Sequence, residues 1–497
     1  MGTGSGLPLL RLLLAELGAP SPIAHATSRD PALSSIADLL PQEVTVQLPT
    51  TDVSLRLIDA YLEHCNFFSP IFYRADVLRM LDAVNDTCKF EEQYKIFMIL
   101  AIAIQLLNRT DSSIPVTKAD AFCSTASRIL LAHSAALLSG DLNHLEILLL
   151  IIQYSSFSSG PAGTWHLIGQ ATRLAIDLGL HDEPSPSPSL NPLSLDRRRR
   201  LFWATYTFER NLCAVLGRPV SIPDEAIFVS LPASVDEDYI TVDGILSQSS
   251  PSRTALAVHL IRFRQLESEV MQVLHQKPPL ASKTFDHRSW RDDMRQRLYD
   301  WRSIVPLHPN PSQLAPMEIF DGCLYNSLLH LYSPSRHMPS VSSEDLGFLV
   351  GYAQESIEAY RSSFRDGKLR FYWRTVHNLF RSGVTLIYCL KNWPQGRNLD
   401  AGSVYASLNS CSSVLWGMVE HYPLGKPCRD TFETLYRSVQ QSNTEQIPYL
   451  QTGNHSLDNP FSFTAAADDF PEHPFGLTLN DSIPQIPSLQ GMFIWDT

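Results

Sequence analysis

The sequence predicts an all-α fold: a large helical array of antiparallel helix pairs, followed by a disordered acidic and aromatic C-terminal tail. Three observations point there. From residue 52 to about 441, apolar residues recur at three- and four-residue steps. No convincing series of segments alternates apolar and polar residues as half-buried strands do. Prolines collect in short joints, Pro278-Pro279, Pro306 to Pro311 and Pro334 to Pro339, between the periodic segments.

The first fifty residues are poorly patterned, broken by Pro20, Pro22, Pro31 and Pro41, and read as a flexible lead-in with at most one short helix near 9–17. Leu7 to Leu17 is Leu-rich and Ala24-His25-Ala26 mimics a cleavage site. No basic residue precedes the apolar run and Arg11 and Glu16 interrupt it, so no secretory signal is expected. At 52–69, Leu55, Ile58, Tyr61, Leu62 and Cys65 make one apolar face that Pro70 closes. Helices follow at about 74–84, 91–108, 117–138 and 142–157. The last is nearly all apolar apart from Glu146, and so belongs in the interior. Two more come at 162–178 and 195–216, separated by the alternating Pro-Ser run of 184–189, which supports neither helix nor strand ladder. A second loop spans 231–252. Further helices are expected at 253–275, 287–303, 316–333, 344–366, 371–391, 401–421 and 428–441.

Composition narrows the function classes. Of 497 residues 44% are apolar, enough for a large core, and the net charge is −12. Such a chain does not hold nucleic acid through bulk charge, because phosphate binding needs a local excess of Lys and Arg. Arg outnumbers Lys, 31 to 8, which suits paired, half-buried cations. No apolar run reaches the length of a membrane helix. The eight cysteines lie at least 17 residues apart with no CxxC pair, so a local zinc knuckle is excluded. There is no HExxH, GxSxG or P-loop, and no catalytic residue, cofactor site or metal ligand is assigned. His181, His259 and His275 read as ordinary polar or capping histidines.

Residues 161–232 hold the most specific pattern. The first part, GPAGTWHLIGQATRLAIDLGLHDE, puts Trp165, Ile168, Ala171, Ala175 and Leu178 on one face. Gly169 is expected to permit close approach of a neighbouring helix. Gly179 sits where a left-handed cap ends a helix. The second part, SLDRRRRLFWATYTFERNLCAVLGRPVSIPDEAI, opens with Ser194 and Asp196 as a helix start and is stopped by Gly217 and Pro219. Glu209 and Arg210 share a helix with buried residues and must be paired. The expected partners of Glu209 are Arg199, Arg218 or Arg173, in a network that clamps Gly217-Arg218-Pro219 against the helix pair. Consecutive helix positions turn by about 100°. The Arg197–Arg200 run therefore reads as solvated, salt-bridged helix surface before it reads as a nuclear import signal or phosphate contact.

This constellation resembles the fungal-specific transcription factor domain, the regulatory region found downstream of Zn2Cys6 binuclear zinc clusters. Trp165, Gly169, Ala171, Arg173, Ala175 and Leu178 to His181 carry the resemblance. It continues through the Arg197–Arg200 run, Leu201-Phe202-Trp203, Gly217-Arg218-Pro219, Asp224 and Leu231-Pro232. It is strong over 160–232 and weaker across 50–440. Glu209 stands where the family usually has Asp. Residues 1–50 contain no cysteine, so zinc enters only through a Zn2Cys6 module further upstream.

The resemblance implies a non-enzymatic nuclear regulator of RNA polymerase II transcription, controlling a metabolic or secondary-metabolite gene set. The chain then divides into a lead-in at 1–50, a regulatory domain at 51–440 and a tail at 441–497. DNA is contacted directly only if a zinc cluster lies upstream, and otherwise through a DNA-bound partner. Transcription coactivators and a second copy of the chain are the further expected partners, with no membrane. A different reading is a small-molecule effector sensor or co-regulator without DNA binding of its own, with a pocket around Trp165, Trp203 and Tyr206. Residues 438–497 hold no Lys or Arg but interleave acids with aromatics. That composition suits an activation segment whose anchors are Phe461, Phe463 and Phe470.

Overall fold

The computed structural model describes residues 46–445, apart from 85–88, 110, 112, 134–138, 159–160, 184–189, 250–251, 276–284, 307–316, 370, 395 and 397. The lead-in and the tail, with Phe461, Phe463 and Phe470, lie outside the described residues. Contacts divide the chain into Met1–Tyr436 and Arg437–Thr497. In the second unit the described residues are 437–445, the end of the last helix.

The all-α expectation holds. The described residues form fourteen α-helices and no sheet, with only two isolated bridges, Asp182 to Phe228 and Ile240 to Ile245. In order they are α1 Thr51–His64, α2 Arg74–Ala83, α3 Phe90–Asn108, α4 Val116–Ala132, α5 Leu142–Ser158, α6 Pro161–Asp177 and α7 Pro192–Leu216. There follow α8 Arg253–His275, α9 His287–Ser303, α10 Met317–Tyr332, α11 Ser343–Arg365, α12 Tyr372–Lys391, α13 Ala401–His421 and α14 Lys426–Glu445. None is long and apolar enough to cross a membrane.

Consecutive helices pack on one another through two groups. In the first, α3 is the hub and touches α1, α2, α4 and α5. In the second, α11 and α12 pack with each other and with α10 and α13. The groups meet where α7 touches α8, and where α12 touches α5 and α7. α3 is buried almost continuously from Tyr94 to Leu107, as an apolar helix enclosed on all sides must be. α5 is interior too. Its one acid, Glu146, is 2% exposed and pairs with Lys95 of α3. Arg197 of α7 approaches the same carboxylate at 3.5 Å.

α7 starts three residues before the expected position. Asn191, not Ser194, is its cap: the Asn191 side chain accepts from the Ser194 amide at 2.8 Å, and Pro192 fills the first turn. Its C-terminus matches expectation. Gly217 takes φ 61°, ψ 35°, a left-handed conformation that a side chain disfavours. Gly179 ends α6 in the same way at φ 64°.

The second group contains two close helix approaches, at Gly383 of α12 and at Gly417 of α13, where a Cβ would stand 2.7 Å from the Phe364 ring of α11. A Cβ on Gly383 of α12 would stand 2.5 Å from the Phe432 ring and 2.8 Å from Cys411 Sγ. Gly383→Ala gains about 1 kcal/mol in helix propensity but forces an overpacked contact costing about 1–3 kcal/mol. A net loss in urea unfolding is expected, and an unchanged midpoint would show that α12 and α13 separate freely.

Candidate functional site

The chain between α7 and α8 does not leave the surface as a free loop. It runs back along α7 as a strap, and polar side chains of α7 hold it down. Glu209 and Arg210 lie three and four residues after Tyr206, and Cys213 lies four and three after them, so each pairs with Tyr206 and Cys213 along the side of α7 under the strap. Glu209, 1% exposed, pairs with its neighbour Arg210 and accepts the Ser221 amide at 2.7 Å. Arg210 also donates to the Ile222 carbonyl at 2.6 Å and to Ser268 Oγ of α8 at 3.0 Å, and lies over the Tyr206 ring at 4.2 Å. Asp224 closes the circuit. It accepts from Tyr206 Oη at 2.6 Å and from Ser268, and lies 3.4 Å from Arg210. Further along the strap, Trp203 Nε1 donates to the Ser230 carbonyl at 2.9 Å.

A second buried knot lies at the other end of α7. Asp196, fully buried, accepts from Tyr73 Oη at 2.7 Å, from Arg200 Nε at 2.8 Å and from the Ala233 amide at 2.7 Å. Arg200, 1% exposed, adds Glu237 of the strap at 3.2 Å and covers the Tyr73 ring at 4.2 Å. Strap, α1–α2 junction and α7 are thus tied by charge-assisted bonds, which are stronger than neutral ones.

Several expectations change. The clamp on the segment after Gly217 exists, but the partner of Glu209 is Arg210, and the clamped residues are Ser221 to Asp224. Arg199 instead binds Glu183, whose carboxyl it holds below the ordinary range by hydrogen bonding. Arg218 stacks on Trp165 at 4.5 Å, which fastens Gly217-Arg218-Pro219 to α6. Cys213 Sγ lies 3.4 Å from the Pro219 carbonyl. Arg173 is exposed and outside the network. A Cβ on Gly169 would meet open space, so helix approach does not explain that glycine.

The Arg197–Arg200 run is salt-bridged as expected, but it is not a solvated surface. Each guanidinium points to its own acceptor: Asp76 for Arg197, the Leu178 carbonyl for Arg198, Glu183 for Arg199 and Asp196 for buried Arg200. Three of the four charges are matched by carboxylates, so the run does not present four free cations to a phosphate. Asp196 is not a helix start but the buried acceptor of the second knot. Where a pocket was expected around Trp165, Trp203 and Tyr206, Arg218, the Ser230 carbonyl and Asp224 lie against the three side chains.

Tyr73, Glu183, Ser268 and Glu237 were not singled out from sequence. Asp224 was quoted only as part of the motif. The available signal was the acids of the Pro-rich strap lying after an Arg-rich helix.

Chemically the network positions; it does not react. Burial pushes Tyr73 and Tyr206 well above the usual phenol range and Cys213 up to about 12, so these groups stay protonated. Among the described residues no group of His, Cys, Asp and Glu could hold a metal ion.

Comparison with known proteins agrees with a regulatory role. Residues 58–303, from α1 through α9, match the family model of the fungal specific transcription factor domain. The chain is similar to the positive regulator of purine utilization of Emericella nidulans, at 25% identity over 79% of this chain and 47% of that protein. It is similar to pyrimidine pathway regulatory protein 1 of Saccharomyces cerevisiae, at 27% identity over 50% of this chain and 29% of that protein. With the fusaridione A cluster transcription factor fsdR of Fusarium heterosporum it shares 22% identity over 93% of each chain. It thus spans less than half the length of the first two relatives. All three are named as regulators and none as an enzyme.

Proposed function

With residues 58–303 a fungal specific transcription factor domain, we propose that the chain is a nuclear regulator of RNA polymerase II transcription that controls a metabolic or secondary-metabolite gene set. The observation that carries this reading is the match itself, which spans both buried knots of α7 and the strap they hold. The relatives named for purine utilization, the pyrimidine pathway and the fusaridione A cluster support a pathway-specific target. In this reading residues 51–440 form the regulatory domain, preceded by the lead-in at 1–50, and 441–497 form an activation segment. The residues at 165–219 quoted above hold that domain's shape. DNA is reached through a Zn2Cys6 module upstream of residue 1, or through a DNA-bound partner. Coactivators meet the tail, and a second copy of the chain completes the assembly.

The test is to tether residues 1–497 to a heterologous DNA-binding module and read a reporter. Activation above the module alone is expected, and it should pass to a tethered 441–497 segment. Replacing Phe461, Phe463 and Phe470 together with Ala should return that segment to background, because a partner groove gains its apolar contact from such anchors. Full activity in the triple variant would remove the tail from the mechanism. Mapping the native transcript's 5′ end decides between the two routes to DNA.

A further inference from the structure

The side of α7 away from the strap faces a cavity of about 110 Å³ at the junction of the two helix groups. Thr207, Phe208, Asn211 and Leu212 of α7 form one wall. α5, α6, α8, α10, α11, the start of α12, the turn after α1 and the segment between α11 and α12 supply the rest. We propose that this cavity is a binding site for a small apolar monocarboxylate, about the size of one aromatic ring with a short acid arm.

Three observations point to that ligand class. The first is size: an apolar cavity of about 150 Å³ takes benzene, so this one, at about 110 Å³, holds at most one small ring or branched alkyl group, and the acid arm must reach out of it to the polar lining. The second is charge. Lys368 is matched by Glu318 at 3.1 Å, and Arg264 by Glu267. Arg374 also lines the cavity, but no carboxylate lies within ion-pair reach of it among the described residues. It meets neutral groups: the Asn211 amide oxygen at 3.2 Å and the Cys323 thiol. One half-buried guanidinium is therefore left over beside apolar walls, and its fork suits a carboxylate.

The third observation is unmet hydrogen bonding. Thr207 Oγ1 and Arg264 Nε are buried and have no partner. Arg264 is 6% exposed. Native structures rarely leave such groups unpaired, and both belong to residues that line this cavity. A ligand carboxylate between Arg374 and Thr207 would supply the anion the cation lacks and an acceptor for the hydroxyl.

The site stands apart from the promoter reading, since it is read by binding alone on the purified chain. The probes are phenylacetate, neutral phenylacetamide and cationic phenethylamine, three molecules of nearly one shape. Each is titrated by thermal shift and calorimetry. Phenylacetate is expected to raise Tm saturably. Phenylacetamide should bind about tenfold more weakly, the scale of one charge-assisted hydrogen bond, and phenethylamine should bind more weakly still.

Arg374→Gln should lose about tenfold in phenylacetate affinity, and Arg374→Lys should recover part of it. Thr207→Val guards against a purely structural effect. It removes an unpaired hydroxyl, so the ligand-free Tm should hold or rise while affinity falls several-fold. Absence of saturable phenylacetate binding overturns the proposal. So does equal binding of phenylacetamide, or an affinity that neither Arg374→Gln nor Thr207→Val changes.

Discussion

Arg210→Met is expected to destabilise the helical unit by about 3–5 kcal/mol, the cost of breaking one member out of a buried ion pair. Glu209 and Arg210 are each 1–2% exposed. Met fills the space but leaves the Glu209 carboxylate with only the Ser221 amide. The Ile222 carbonyl and Ser268 lose their donor as well. A domain holds roughly 5–15 kcal/mol in total, so the variant should unfold at a much lower denaturant midpoint. The strap should also open locally before the core does, giving protease cleavage near 218–249 under conditions that spare the parent chain. The double variant Glu209→Gln, Arg210→Met separates charge from packing. With the Glu209 charge gone as well, part of the loss should return, because Gln still offers its oxygen to Ser221, while Asp224, Ile222 and Ser268 remain without Arg210. A single-variant loss under about 1 kcal/mol would mean the pair is solvated in solution and does not hold the strap.

The helices were legible because periodicity and punctuation agree locally. Gly179 ends α6 and Gly217 closes α7 where the sequence placed them, whereas the Asn191-Pro192 opening of α7, also a short-range signal, was read three residues late. The pairing inside the site was not legible, for a physical reason. Which group meets Arg199 or Arg218 depends on how α6 and the segment before α7 pack against α7 and its C-terminal end, and that packing leaves no periodic mark. Glu183 and Trp165 take those two arginines. One signal was present and passed over: Asp196, Arg200 and Trp203 recur at four and three residues, so they share a helix face. An i,i+4 acid–Arg pair in line with a Trp predicts one buried arginine within a run of four. The cavity could not be read at all, since its walls come from seven helices, the turn after α1 and the segment between α11 and α12. Gly169 shows the opposite error: a small residue in a motif does not by itself mean close packing.

Acidification should unfold this chain through its buried histidines. His259 is 2% exposed, stacks on Trp301 at 4.8 Å and leaves Nε2 without a partner. Burial, with Arg262 and Arg302 nearby, pulls its imidazolium down to about 4. Burial does the same to His275, also to about 4, beside His337, Arg336 and Arg381. His330, against Arg381, is held well below the ordinary value by burial and that cation. In each case the folded-state pKa lies below the unfolded value of about 6.5, so the unfolded chain binds the extra proton. Stability is then complete above about pH 6.5 and falls as pH drops towards 4, by about 1.4 kcal/mol per pH unit for each histidine. Three such groups lose about 4 kcal/mol per unit near pH 5, close to the whole stability of an ordinary domain. His259→Phe keeps the stack on Trp301 and cannot titrate. Its unfolding free energy, followed from pH 7 to 4.5 in urea, should fall about 1.4 kcal/mol per unit less steeply than the parent's. Parallel slopes would mean that His259 already carries its proton in the folded chain, and that the Trp301 pocket is open to water.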